Sequence, residues 1–226
     1  MEKHTLHGTI GPDIQRPAPE LIARLSRHDT AKIADSMGGY GVAHHEIKPL
    51  RHEMRICGPA VTVLTRPGDA LYVQKVIEFL KPGDIVVIDA AGYKDVAVIG
   101  ERLAYYMKLR GAKGIVVDGA VRDSIGIVDE GMATFARSRC IRIFGSLGPG
   151  AINVPVTCGG VAVQPGDIVC GDADGIVIIP RADAQRVADL ADVHLANELA
   201  RKKEIESGKG ISEVFGLNAK LDKWRG

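Results

Sequence analysis

Residues 111–123, GAKGIVVDGAVRD, decide how this chain is to be read. Ile115, Val116 and Val117 form an unbroken β-branched run, the pattern of a strand buried on both faces. Gly119 reads as the turn that follows, and Arg122 and Asp123 stand where the strand opens into a loop. Upstream, VAVIGERLAYYMKLRGAKG (96–114) has helical periodicity and stops at Gly111 or Gly114. A helix followed by a buried strand is the unit of an α/β protein.

The same alternation extends in both directions. IVVIDAAGY (85–93) reads as a buried strand, ALYVQKVIEFLKPGD (70–84) as helical, and CGPAVTVLTRPGD (57–69) as a β-branched strand running into a turn. PELIARLSRHDTAKIADSMGG (19–39) reads as two short helices, with Asp29 or Thr30 as N-cap of the second and Gly38-Gly39 as its stop. The opening HTLHGTIGPDIQRPAPE (4–20) carries three prolines and two glycines and is expected to be an exposed arm over residues 1–19. After residue 130 the pattern changes to short strands: MATFARS, CIRIFGS and NVPVTCGGVAVQPGDIVCGDADGIVIIP, with Asp174-Gly175 as a hairpin turn. A long charged helix runs from Arg181 to about Ser207. Pro-Gly-Asp occurs at 67–69, 82–84 and 165–167, which reads as a shared turn preference. These residues predict one α/β domain over 20–226, with helices around mixed sheets.

Composition narrows the functional classes. A chain of 226 residues with 46% hydrophobic and 25% charged residues can bury a sizeable core. With 4% aromatic residues, that core must be aliphatic. The net charge of +1 gives no field favouring nucleic acid or anionic membrane. No apolar run approaches the roughly 18–20 residues needed to span a bilayer, and MEKHTLHGTI lacks the features of a signal peptide. Cys57, Cys140, Cys158 and Cys170 form no CxxC pair and are expected to be buried thiols of a cytoplasmic protein.

The candidate chemistry centres on Glu101, Arg122 and Asp123. Glu101 stands at the start of the ERLAYYMKLRG helix, whose free first-turn N–H groups at Arg102 and Leu103 could bind a carboxylate. One helix and one strand separate Glu101 from Arg122, so the return brings the Arg-Asp loop near the helix start. Asp123 offers hard oxygens for Mg²⁺, Arg122 a cationic fork for a carboxylate or enolate oxygen, and Glu101 a base that could orient a metal-bound water. A solvated, salt-bridged turn beside a helix-start glutamate explains the same residues, and both readings stay open at this point. Elsewhere, His44, His45 and Glu46 do not form an HExxH motif, because Pro49 occupies the second histidine's place. Asp172 and Asp174 read as a hairpin turn, and GSLGPG lacks the Lys-Ser/Thr of a phosphate loop. Lys94, near Gly92 and Tyr93, reads as an exposed loop lysine, with a Schiff-base lysine as the alternative.

PGDIVVIDAAG, GERLA, GAKGIVVDGAVRD, NVPVTCGGVAVQPGDIVCGDADGIVIIP and the tail helix together resemble the RraA-like family, over about residues 20–221. That family includes 4-hydroxy-4-methyl-2-oxoglutarate / 4-carboxy-4-hydroxy-2-oxoadipate aldolases and regulators of ribonuclease E activity. The resemblance implies an αββα sandwich like the phosphohistidine-type swivelling domain, assembled as a trimer or dimer of trimers. Its aldolase branch has an acid, twenty residues, then Arg-Asp, which maps onto Glu101, Arg122 and Asp123. The usual aspartate is glutamate here, whereas the regulator branch typically has glycine. The resemblance further implies that the N–H groups of Arg102 and Leu103 hold a pyruvate carboxylate. It also implies that Glu198 of a neighbouring subunit completes the site, with Glu204 the next choice. The implied activity is a class II pyruvate aldolase using Mg²⁺ or Mn²⁺, with oxaloacetate decarboxylase side activity. The alternative it implies is a non-catalytic regulator of RNA degradation machinery.

Overall fold

In the computed structural model, which describes residues 8–225, the chain alternates strands and helices and then turns to short strands. The elements are α1 (Pro19–Leu25), α2 (Thr30–Ser36), β1 (Lys48–Pro49), β2 (Ile56–Thr65), α3 (Leu71–Lys75), β3 (Ile85–Ile99), α4 (Glu101–Leu109), β4 (Gly114–Val121) and α5 (Ser124–Asp129). They continue with β5 (Thr134–Arg139), β6 (Gly150–Ile152), β7 (Val156–Cys158), β8 (Val161–Val163), β9 (Ile168–Asp172), β10 (Gly175–Ile179), α6 (Ala184–Glu206), α7 (Ile211–Val214) and α8 (Leu217–Asp222). Asp29 caps α2 as expected, its carboxylate accepting from Lys32 N–H at 2.8 Å.

The main sheet runs β1-β5-β4-β3-β2-β9-β10, with β6 paired to β2; β7 and β8 form a separate two-stranded sheet. Strands β2 to β5 pair in parallel, and the rest of the main sheet is antiparallel. Parallel neighbours need a crossover between them, and α3, α4 and α5 supply the three crossovers. All three helices cover one face: Val73, Met107 and Ile127 pack with Val63, Ile88 and Val117 in one buried cluster. On the other face Ile85, Val87, Val116 and Phe135 meet Val169 and Ile178 of the antiparallel end. The outer side of that end, Ile168, Val177 and Ile179, is covered by Leu25, Ile33 and Val187 of α1, α2 and α6. The layers therefore run helix, sheet, sheet, helix, which is the αββα arrangement expected. The alternation of Ile85/Val87 against Val86/Ile88 between two clusters is the period of two that lets one strand serve both.

Three local expectations change. VAVI (96–99), read as the start of a helix, is the end of β3, and α4 begins only at Glu101. The ladder between β3 and β4 is irregular at Asp89, Tyr93 and Ala97, with Ala91 at φ 56° and Gly92 at φ 67°. The strand bulges there and resumes, because β-branched Val96, Val98 and Ile99 favour extended backbone over helix. CIRIFGS forms no strand; only Gly145 makes a bridge, to Asp69. The expected exposed arm is also fastened where it is described. Gly8 and Gly11 N–H bond to Gly150 and Ile152 carbonyls at 2.8 Å, Ile14 is buried, and Arg16 reaches the fully buried Asp84 at 2.8 Å.

The three Pro-Gly-Asp tripeptides share one geometry. Each aspartate N–H bonds back three residues, to Arg66, Lys81 or Gln164, and each glycine has positive φ. Proline presets the second turn residue and glycine supplies the left-handed third. All three aspartates, Asp69, Asp84 and Asp167, are buried. Asp84 and Asp167 turn back to accept from Lys81 and Gln164 N–H, both at 2.8 Å.

Candidate active site

The site lies beyond the carboxyl ends of β3 and β4, where the strands hand over to α4 and α5. Open α/β sheets hold their ligands at this end, because the loops and helix N-termini converge there. Ile99 and Val121 are register partners, and Arg122 N–H donates to the Ile99 carbonyl at 2.9 Å. Gly100 and Arg122 are therefore side by side although twenty-two positions separate them in the chain. A cleft of about 460 Å³ opens over them, lined by Gly100, Arg102, Leu103, Tyr106, Arg122 and Asp123, with Gln74, Ile143 and Phe144 opposite.

Asp123 sits in the left-handed region at φ 52°, ψ 39°. Aspartate tolerates that conformation better than most residues but still carries strain there, and such strain collects at functional positions. Among the described residues its carboxylate meets one polar partner, Arg122 Nε, at 3.2 Å to each oxygen. The remaining guanidinium donors of Arg122 have no partner among the described residues. Gly100 allows the close approach: a Cβ built there would stand 2.5 Å from Asp123 Oδ2 and 3.0 Å from Arg122 Cγ. At the start of α4, Ala104 N–H is the first to find a helical acceptor, the Gly100 carbonyl at 3.1 Å. The N–H groups of Glu101, Arg102 and Leu103 have no acceptor among the described residues, as a helix N-terminus without a side-chain cap requires.

The other expected site residues are placed differently. Glu101 is beside the cleft but does not line it. Its carboxylate lies over Gly126, where an added Cβ would fall 2.1 Å from Oε2. Glu198 is on α6, in the opposite outer layer, ion-paired with Lys32 of α2 at 2.7 Å. No single copy of the chain brings it to Arg122. Glu204 lies further along α6, 3.7 Å from Lys209. Lys94 and Arg137 both pair with Glu46, and His44 stacks on His45 at 4.4 Å. Asp172 is occupied by Thr30 and the Asp174 N–H, which makes GDADG the turn between β9 and β10. Cys158 and Cys170 are buried as expected, whereas Cys57 and Cys140 are half-buried.

Asp69 is a site-building residue that the motif reading left as a turn. Its buried carboxylate accepts from Leu71, Leu147 and Gly148 N–H at 2.9, 2.7 and 3.1 Å. Burial raises its pKa, but these N–H groups and Arg66 outweigh it and hold the carboxyl below its ordinary range. The irregular segment carrying Ile143 and Phe144, the far wall of the cleft, is thereby anchored at one end. Its sequence signal was the third aspartate of a set whose other two end turns ahead of strands, while Asp69 leads into a helix.

Comparison with known proteins gives this geometry a family. The RraA-like profile (Aldolase/RraA) matches residues 30–178. A Halalkalibacterium halodurans protein provisionally named 4-hydroxy-4-methyl-2-oxoglutarate aldolase is 35% identical over 204 residues, covering 90% of this chain and 95% of that protein. Streptomyces coelicolor RraAS2, described as an unusual member of the RNase ES inhibitor RraA family, superposes with TM-score 0.75 at 31% identity, covering 83% of this chain and all of that one. RraA from Thermus thermophilis, described as an RNA-processing inhibitor, gives TM-score 0.62 at 27% identity over 68% of this chain and 93% of its own. With two-thirds of its length matched by the profile and an αββα sandwich shared with these structures, the chain belongs to the RraA-like family.

Proposed function

We propose that the protein is a class II pyruvate aldolase, cleaving 4-hydroxy-2-oxo acids such as 4-hydroxy-4-methyl-2-oxoglutarate to pyruvate and decarboxylating oxaloacetate as a side reaction. The observation that carries this reading is the cleft itself. It joins an arginine with unused donors, a strained and open aspartate, and helix N–H groups without acceptors. The named relative supports it further.

Asp123 is the residue that would hold Mg²⁺ or Mn²⁺. The donor set suits such an ion, which takes one or two protein carboxylates and keeps its waters. Among the described residues no group of three or more His, Cys, Asp and Glu gathers as a closed metal cage would need. When bound, the ion supplies a Lewis acid toward the oxygens of the 2-oxo acid.

The chain's own groups divide the remaining work. N–H groups of Arg102 and Leu103 hold the substrate carboxylate at the positive end of α4. Arg122 presents its free donors where negative charge develops as the C3–C4 bond breaks and pyruvate enolate forms. A water activated beside Glu101 would take the C4 hydroxyl proton, the Glu101 carboxylate turning from Gly126 at the edge of the cleft to orient it, and protonation of C3 then releases pyruvate. Arg102, which has no ion-pair partner among the described residues, lies close enough to meet a further carboxylate on C4. Assembly as a trimer or dimer of trimers would bring Glu198 of one copy to the cleft of the next.

A second reading, a non-catalytic regulator of RNA degradation machinery, is favoured by the RraA-type structural relatives. Pyruvate release from 4-hydroxy-4-methyl-2-oxoglutarate and oxaloacetate, followed with and without Mg²⁺, separates the two. Metal-dependent release supports the aldolase. Its absence with both substrates sinks the aldolase, and inhibition of a ribonuclease E-type enzyme would then support the regulator.

A further inference from the structure

A second reactive feature lies in the opposite half of the molecule, at the seam where β2 passes from the parallel strands to β9. Cys57 and Cys170 are register partners on these antiparallel strands, and their sulfur atoms are 3.4 Å apart. Three positions along, Ala60 N–H donates to the Asp167 carbonyl at 2.8 Å. Antiparallel pairs alternate between hydrogen-bonded and non-hydrogen-bonded kinds, so Cys57–Cys170 is of the second kind. Cα atoms in such pairs stand about 4.5 Å apart, inside the roughly 4.4–6.8 Å that a disulfide spans. The remaining movement is a closure of the sulfurs by side-chain rotation.

The two thiols are not equivalent. Cys170 is buried, with a thiol pKa raised by its contact with Cys57 and by desolvation, and it donates toward the Cys57 sulfur. Cys57 is half-buried and lines a cavity of about 230 Å³ whose wall also carries Arg55 and Lys113. Neither cation forms a salt bridge among the described residues, although Asp29 is near enough to feel the charge of Arg55; Arg55 donates to the His28 carbonyl at 2.9 Å. The Cys57 thiol donates to the Ile22 carbonyl at 3.5 Å, and Cys170 and Asp172 line the same cavity. A half-buried sulfur on a cavity wall, with a more deeply buried second thiol 3.4 Å away, is the layout of an attacking and a resolving cysteine. The other two cysteines lack it: Cys140 points to the Asp95 carbonyl, and Cys158 is buried with its thiol pushed up by desolvation.

We propose that Cys57 and Cys170 are a dithiol–disulfide pair, oxidised by hydroperoxides through Cys57. The Cys57 thiolate attacks one peroxide oxygen. The S–O bond forms, the O–O bond breaks, and the other peroxide oxygen leaves as hydroxide from hydrogen peroxide, or as alkoxide from an organic hydroperoxide, and takes a proton from solvent to become water or an alcohol. The Cys170 sulfur then attacks the sulfenic sulfur; the S–S bond forms, the S–O bond breaks, and water leaves with the Cys170 proton. Two electrons pass from the thiols to the peroxide. The product is a cross-strand bond joining the two halves of the sandwich.

Wild-type full-length protein treated with equimolar hydrogen peroxide, acid-quenched, unfolded and alkylated tests this without a variant. The expected result is a fall from four alkylated cysteines to two, with linked Cys57 and Cys170 peptides that dithiothreitol separates. In Cys170→Ser, peroxide and dimedone should place the adduct on Cys57. Four alkylated thiols after treatment, or a linkage using Cys140 or Cys158, would overturn the proposal. A dimedone adduct forming as fast on Cys170 in Cys57→Ser would overturn the assignment of Cys57 as the attacking sulfur.

Discussion

Two Asp–Arg pairs with opposite characters lie five residues apart along the chain: Asp118, within β4, meets Arg137 of β5, and Asp123, just past the end of β4, meets Arg122. At Asp118 both carboxylate oxygens are held: Arg137 Nε bonds one and Gly159 N–H the other at 2.6 Å, while Arg137 also bonds Glu46 at 3.2 Å. The Asp118 and Arg137 side chains are 7% and 13% exposed. At Asp123 the side chain is 43% exposed and its arginine 31%, and their one shared contact is long. The first pair is buried and tied into the fold by partners from three other segments; the second is open to the cleft. That openness at a strand end, beside a helix N-terminus, is what makes the second pair the candidate site, and adjacency of Arg and Asp alone does not.

Variants can break this contrast, beginning with the largest effect. Arg122→Ala should lower kcat/KM by about 10³, the scale for losing a donor to developing negative charge, with little change in thermal midpoint. A rate within threefold of wild type would remove Arg122 from the chemistry. Arg137→Ala should do the reverse, costing about 3 kcal/mol of stability by leaving Asp118 buried and unpaired. Denaturant unfolding measures it, and an unchanged midpoint would mean that Asp118 is not held as described.

Gly100→Ala should reduce kcat/KM by about 10², as misplacement of catalytic groups by an ångström does. The nearest atom to its Cβ is the mobile end of Asp123, so the unfolding midpoint should barely move. Equal losses of rate and stability would show a packing defect instead.

Asp69→Asn should cost about 2 kcal/mol, because an amide cannot accept all three N–H groups. Asp69 has a depressed folded pKa, so its contribution is present above the unfolded carboxylate value and is lost as pH falls through the folded one. The gap in thermal midpoint between wild type and variant should therefore narrow below about pH 4. A gap that widens in acid would contradict the carboxylate role.

The smallest stability effect is expected for Glu198→Gln, within about 0.5 kcal/mol because its partner contact is at the surface. A clear loss of activity in that variant would then report an intersubunit role, and no loss would confine Glu198 to its bond with Lys32.

Much of the architecture follows from local rules. The β-branched runs of β2 and β4, the Asp29 cap and the Pro-Gly-Asp turns need only neighbours within a few residues, which is why they can be read from the chain. VAVI misleads because its apolar run joins the helical pattern that follows; its β-branched residues favour strand, and pairing with β4 across an irregular ladder secures it. CIRIFGS likewise has strand-forming residues, but its backbone makes only single hydrogen bonds to the sheet, Cys140 N–H to Val121 and Ala97 N–H to Arg142, before Asp69 anchors the turn that follows, and no ladder builds.

At the site, the residue types and the one-helix, one-strand return placing Arg122 and Asp123 beside the start of α4 are properties of the sequence itself. Tertiary structure decided the rest: that both Asp118 oxygens are held and Asp123 is open, that the Glu101 carboxylate rests on Gly126, and that Cys57 faces Cys170. The physical reason is common to all of these. Each contact depends on a partner tens of residues away, and sheet register together with the packing of helices and loops on the sheet determines which partners meet.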